Sequence, residues 1–294
     1  MIVNRKYFKI KRYSILAAML SMLFILNTPA LSSDTFMLES RMDNAPLDQY
    51  LLYFEDPSGT LNFDDIKNLT PDQFKPLTED KINIGYSYST FWFKIKLENR
   101  MQDPLNWIFE SKYPLLDYIT LYIPAEFGFV EIESGDRLPF STMPMNHYNF
   151  TSKITSPPGE SVLYLRIKSE GSLVIKFRAW DYESFMHNVF TEISVLWLFY
   201  GIFIALFFYN FFIYTVSKDK AYLYLALFIF CTMIFTFIHN GMARKYLWTN
   251  MPWWANYSHP LSLLLAATFD IKFTQLFLNT KANIRFTHRI LNVL

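Results

Sequence analysis

The chain has 294 residues, 52% of them hydrophobic and 18% charged, and a formal net charge of +1 at pH 7. That length allows two domains, and a near-neutral chain without a clustered basic face gives no electrostatic reason to expect nucleic acid. A single cysteine, Cys231, excludes an intrachain disulfide, and packing is its expected role.

In chain order, Arg5, Lys6, Lys9, Lys11 and Arg12 precede the apolar run 13–26 and the small residues Ala30 and Ser32. This reads as a secretory signal over residues 1–33, with an uncleaved anchor as the alternative. Either one sends the following segment across a membrane.

Residues 36–182 alternate with period two. Phe91, Phe93, Ile95 and Leu97 share one face against Trp92, Lys94, Lys96 and Glu98, and Ile119, Leu121 and Ile123 oppose Tyr118, Thr120 and Tyr122. Leu163, Leu165 and Ile167 repeat the pattern, as do Leu173, Ile175 and Phe177. Turn signals at Asn99-Arg100, Gly128, Gly135-Asp136, Pro157-Pro158-Gly159 and Glu170-Gly171 separate the runs. The pattern predicts an all-β, jelly-roll-like sandwich rather than a parallel sheet with crossover helices, with residues 62–74 as a short helix or irregular lead-in.

After a polar bridge over residues 181–188, the apolar runs 193–216 and 221–239 contain no Lys, Arg, Asp or Glu and are separated only by Ser217-Lys218-Asp219-Lys220. As helices they would be roughly 36 Å and 28 Å long, enough to cross a hydrocarbon core. Trp248, Trp253 and Trp254 suit a membrane-interface loop. A third segment, 258–278, is broken by Asp270 and Lys272, and Lys281, Arg285, His288 and Arg289 form a basic strip before the closing run 290–294. With the sandwich outside, Lys218, Lys220, Lys281, Arg285 and Arg289 fall inside against Arg244 and Lys245 outside, which satisfies the positive-inside rule. The expected location is a multi-pass inner membrane with the N-terminal domain in the periplasm.

Tyr209-Asn210-Phe211-Phe212-Ile213-Tyr214, Asp219-Lys220-Ala221-Tyr222-Leu223-Tyr224, Asn240-Gly241 with Tyr246-Leu247-Trp248, and Phe277-Leu278 follow one another through the helical part. The outer part carries Gly85, Phe91-Trp92-Phe93-Lys94, Pro114-Leu115-Leu116-Asp117, Gly135-Asp136, Leu138-Pro139-Phe140 and Leu163-Tyr164-Leu165-Arg166. In order and spacing this set resembles the bacterial seven-transmembrane receptors with diverse intracellular signalling modules, with their type-2 extracellular domain over 36–182 and part of the seven-transmembrane domain over 193–294. The resemblance implies a jelly roll akin to carbohydrate-binding modules and a cytoplasmic diguanylate cyclase or histidine kinase. Here the chain stops after about three spans, so the expectation is a truncated receptor whose output module lies elsewhere.

No Gly-rich phosphate loop, metalloprotease motif or cyclase signature is present, and the five histidines lack ligand spacing, so no enzyme activity, metal or cofactor is expected. Trp92 and Tyr88 are candidate sugar-stacking residues, with cross-strand packing as the alternative. His147 is a candidate ligand-bonding group, with a loop or strand-edge histidine satisfied locally as the alternative, and Arg137, beside Asp136, is a ligand candidate or a turn residue. Asp270 and Asn210 are the intramembrane polar groups: Asp270 is expected in a switch or helix-packing contact, or else paired with Lys272 or near the interface, and Asn210 in interhelical packing, with a ligand group as the alternative. The leading function is a sensor for a small molecule or carbohydrate, touching lipid and a homodimer mate or downstream signalling protein. A membrane-anchored glycan-binding or assembly module, or a transporter subunit, is the competing class.

Overall fold

The computed structural model describes residues 35–78, 82–283, 286 and 291. The signal segment, the basic residues Arg285, His288 and Arg289, and most of the closing run lie outside the described residues.

Thirteen strands are described: β1 (Thr35–Leu38), β2 (Ala45–Pro46), β3 (Leu51–Asp56), β4 (Lys75–Pro76), β5 (Asn83–Tyr86), β6 (Thr90–Asn99), β7 (Leu105–Ser111), β8 (Tyr118–Ala125), β9 (Gly128–Ser134), β10 (Thr151–Ser156), β11 (Gly159–Lys168), β12 (Ser172–Val174) and β13 (Phe177–Trp180). The larger sheet runs β4-β3-β6-β11-β8-β9, with β1 parallel to the far end of β6; the smaller runs β10-β7-β13-β2, and β12 pairs with β5. The sandwich expected from the alternation is present. Phe91, Phe93, Ile95 and Leu97 of β6 and Leu163, Leu165 and Ile167 of β11 point inward, meeting Trp107 and Phe109 of β7 and Phe177 of β13. Phe93 packs edge-on to Phe177 across the core, with ring centroids 6.2 Å apart. Each such side chain removed from water contributes about 1.5–3 kcal/mol, so the sandwich has a core of its own.

Two features depart from simple alternation. The outer face of the larger sheet is also covered: the lead-in carries α1 (Phe63–Lys67), which lays Ile66, with Phe74 further on, over Trp92, Tyr122 and Tyr164. Asn62 caps α1 in a reciprocal box with Asp65, which fixes a five-residue helix too short to persist unaided. The run through Leu173, Ile175 and Phe177 is not one strand. It pairs with β5, crosses at Ile175 and Lys176, and re-enters the smaller sheet as β13, keeping the three apolar residues buried while changing backbone partners.

The helices are α2 (Tyr182–Ser217), α3 (Lys220–His239), α4 (Met242–Tyr246), α5 (Pro252–Phe277) and α6 (Thr280–Asn283). The polar bridge is the first turns of α2, not a linker. Asp181 caps the helix by accepting from the Ser184 amide at 2.9 Å, its other oxygen accepts from the Met42 amide at 3.0 Å, and no Gly or Pro follows until Gly201. At ~1.5 Å per residue, α2 is roughly 54 Å long, well beyond one hydrocarbon core. Its first turns therefore belong to the sandwich and its remainder to the membrane. Among the described residues α2 and α3 are long and apolar enough to cross a membrane, and α3 packs between α2 and α5.

Candidate functional site at the sandwich–helix junction

Among the described residues the sandwich grips the helices at two main places. The first is the base of α2. Glu110 at the end of β7 is fully buried and accepts from Asn149 Nδ2 at 2.7 Å and Trp180 Nε1 at 2.8 Å. Lys112 Nζ lies 3.3 Å from Glu110 and 2.9 Å from Glu192 of α2, whose second oxygen accepts from the Tyr148 hydroxyl at 2.6 Å. Phe185 of α2 seals this network against Trp180 and Ile108. A buried carboxylate is tolerable only when so fully paired, and the pairing joins sheet to helix. Beside it lies a cavity of about 460 Å³ lined by Pro114, Tyr148, Glu192, Leu196, His239 and Asn240 among others.

The second is the loop after α3. Gly241 has φ +72°, and a Cβ there would lie 2.8 Å from Pro114 Cβ and 3.0 Å from the Tyr148 carbonyl, so glycine permits both the backbone turn and the close approach. Just beyond it, Arg244 of α4 is 6% exposed and donates to the Leu138 carbonyl at 3.1 Å, its guanidinium 5.7 Å from the Phe140 ring centroid. Lys245 donates to the Asn146 carbonyl at 2.9 Å, and the Phe140 amide donates to the Thr249 carbonyl at 2.8 Å. Beneath Arg244, Asp136 is 8% exposed. Burial, then the neighbouring Asp117, push its carboxyl up to about 7.

The sequence candidates fall in different places. His147 is buried in this junction: Nδ1 accepts from the Asn149 amide at 3.1 Å, and the ring packs on Tyr148 and Phe185. Burial and then Lys245 hold its imidazole down at about 4, so it is neutral. Arg137 pairs with Asp117 at 3.5 Å and Glu170 at 2.9 Å at the rim of the same turn.

Trp92 and Tyr88 are not brought together. Trp92 is fully enclosed under Tyr122, which stacks in turn on Phe63 at 4.1 Å, whereas Tyr88 is 91% exposed on the link to β6. Above Trp92 is a cleft of about 580 Å³ whose polar rim includes Thr60, Asn62, Glu131 and Arg166. Trp92 Nε1 is buried there without a partner, and the Arg166 guanidinium lies 5.8 Å from the Trp92 ring centroid. Phe63 and Arg166 were legible only as a lead-in residue and an outward strand residue. Asn210 is buried and donates to the Leu206 carbonyl of its own helix at 2.8 Å. Asp270 lies on the exposed side of α5 and makes no ion pair with Lys272.

An extracellular sandwich continuous with apolar helices, and clamped to them by buried charges, defines a membrane sensor. Comparison with known families agrees: 7TMR-DISM extracellular 2 matches residues 48–181 and 7TM diverse intracellular signalling matches residues 192–294. The chain belongs to the 7TMR-DISM family of signalling receptors. Both matched regions are sensor-type and neither is a catalytic domain. No curated protein matches the chain.

Proposed function

We propose that the chain is the sensing part of a multi-pass inner-membrane receptor whose periplasmic sandwich binds a small polar ligand, glycans being the first class to test. The state of the sandwich passes along α2 and the α4 loop toward a cytoplasmic output module. The observation that carries this reading is that α2 is one unbroken helix from its cap on the sandwich to Ser217, with its base held by Lys112 and Tyr148 through Glu192. Such an element transmits a tilt instead of absorbing it, provided that a ligand binds two arrangements with different affinity. A purely anchored glycan-binding module would have no use for buried charges that lock sandwich to helix. The cleft above Trp92 supports the ligand half of the proposal: its volume lies in the usual range for small-molecule sites, with an aromatic floor and a polar rim.

The test uses the full chain in lipid nanodiscs, screened against a glycan library by thermal shift. A ligand that stabilises the wild type should bind Arg166→Ala more weakly. It should bind Tyr148→Phe with unchanged affinity yet no longer change the distance between spin labels at Ser217 and Leu278, because that variant loses a charge-assisted hydrogen bond of about 1.5–3 kcal/mol at the relay. Ligand-induced movement that survives in Tyr148→Phe would remove the relay from the account.

A further inference from the structure

The turn beneath Arg244 brings two buried acidic residues, Asp117 and Asp136, together on adjoining backbone segments. Gly135 has φ +150° and packs so closely that a Cβ would lie 2.0 Å from the Asp117 carbonyl oxygen, which presses Asp136 onto Asp117. Both acids are buried, the backbone pairs the two segments through the Asp136 amide to the Leu116 carbonyl at 2.8 Å and the Arg137 amide to the Asp117 carbonyl at 3.2 Å, and Asp136 Oδ1 is left without a hydrogen-bond partner. Two carboxylates offer only acceptors, so neither can satisfy the other unless one of them holds a proton.

We propose that the Asp117–Asp136 pair is a proton-binding site whose occupancy governs how tightly the α4 loop docks on the sandwich. The proposal rests on the reading of the junction as the relay surface and names its regulation.

The surrounding groups explain why the proton is held. Asp117 is already served by the Glu170 amide at 2.7 Å and by Arg137. Asp136 Oδ1 has no hydrogen-bond partner, and neither do Nε and Nη1 of Arg244, the cation that faces it from α4. Arg244 spends its other nitrogen on the Leu138 and Pro139 carbonyls instead of ion-pairing with Asp136. Arg137, from the same turn, divides itself between Asp117 and Glu170, and Tyr113 adds a neutral phenol within the field of both acids. The two guanidinium groups favour ionisation, yet burial and the adjacent acid outweigh them.

Docking and protonation are linked. The α4 loop and Asn256 of α5, which donates to the Asp136 carbonyl at 3.3 Å, cover the turn. When they lift away, Asp136 meets water and its carboxyl returns toward the ordinary 3.8. An acid raised in the docked state contributes docking stability that is complete below about pH 4 and is lost as pH rises through about 7. Loss of the proton leaves two adjacent buried carboxylates, and the loop loosens. His147, in the same junction, acts with the opposite sign, so the two must be separated experimentally.

The full chain in lipid nanodiscs is compared with Asp136→Asn, which is neutral at every pH, as the protonated acid is, and carries N–H donors of its own. The readout is hydrogen exchange at the Phe140 amide, which bonds to Thr249 across the junction, corrected for intrinsic rate. Wild-type protection relative to the variant should fall by as much as about tenfold between about pH 6 and about pH 8, the ratio cancelling the contribution of His147. A ratio independent of pH overturns the proposal. So does a ratio that rises with pH, which would mean that Arg244 captures the ionised acid. Fast exchange at every pH in both proteins would overturn the relay reading instead. Should Asp136→Asn fail to fold, the wild type alone decides: the infrared band of a protonated carboxyl must bleach over the same pH interval, and its persistence or absence overturns the site.

Discussion

At the scale of single residues the junction is built from side chains whose chemistry was visible but whose partners were not. His147 illustrates this. Its local sequence allowed a ligand group or a locally satisfied histidine, and only the packing of Phe185 from α2 and the approach of Lys245 from α4 show why it is neutral. A base held at about 4 instead of the usual 6.5 stabilises the junction fully above about pH 6.5, and that stability is lost as pH falls toward 4. The contribution is on the order of 3 kcal/mol. Nitrogen-15 resonances of His147 in the full chain should therefore titrate with a midpoint near 4. A midpoint at the ordinary value would show that the ring is solvated and that the sandwich and α2 are not closed upon it. Asp136, read from sequence as a turn residue, does sit in a turn, but Arg244 is more than a hundred residues away in the chain, and no local pattern announces such a neighbour.

At the scale of elements, the strands whose one face is core were legible because period-two alternation follows directly from the pleat. The roof over Trp92 was not, since a second covered face makes both sets of residues buried and erases the contrast; the tyrosines and Trp92 on that face looked like ordinary outward residues. The start of α2 lies earlier than the apolar run 193–216 for a related reason. Hydropathy stops at Glu192, but helix formation does not require apolar residues, and Asp181 with Glu183 was an available start signal. Continuity of α2 across that boundary is what the relay depends on. Phe190, exposed and two residues before Glu192 in the same helix, is a position where proline removes one backbone hydrogen bond and clashes with the preceding turn, at a cost of about 3 kcal/mol. In Phe190→Pro, the distance between spin labels at Glu160 and Ser217 should broaden markedly while far-ultraviolet circular dichroism keeps its strand signal, because the sandwich core does not use that turn. An unchanged narrow distribution would mean that the sandwich is held by the α4 loop alone.

At the scale of the whole molecule, the contacts of α4 bear on orientation. Arg244 and Lys245 are the two cations that counted against the positive-inside pattern, and both are engaged by sandwich carbonyls, so their loop lies on the sandwich side of the helices. Since α2 leaves the sandwich and α3 returns to it, the turn carrying Lys218 and Lys220 is at the opposite end. Its free cations are then the ones the inner leaflet attracts, while the outer pair is held by the protein. A thiol placed at Phe127, which projects from the β8–β9 hairpin and is 93% exposed, should react with a membrane-impermeant maleimide in intact spheroplasts. A thiol at Lys218 should react only after permeabilisation, with buried Cys231 giving the background in the unsubstituted chain. Labelling of both without permeabilisation would mean that α2 does not span the bilayer, and the reverse order of labelling would turn the receptor inside out.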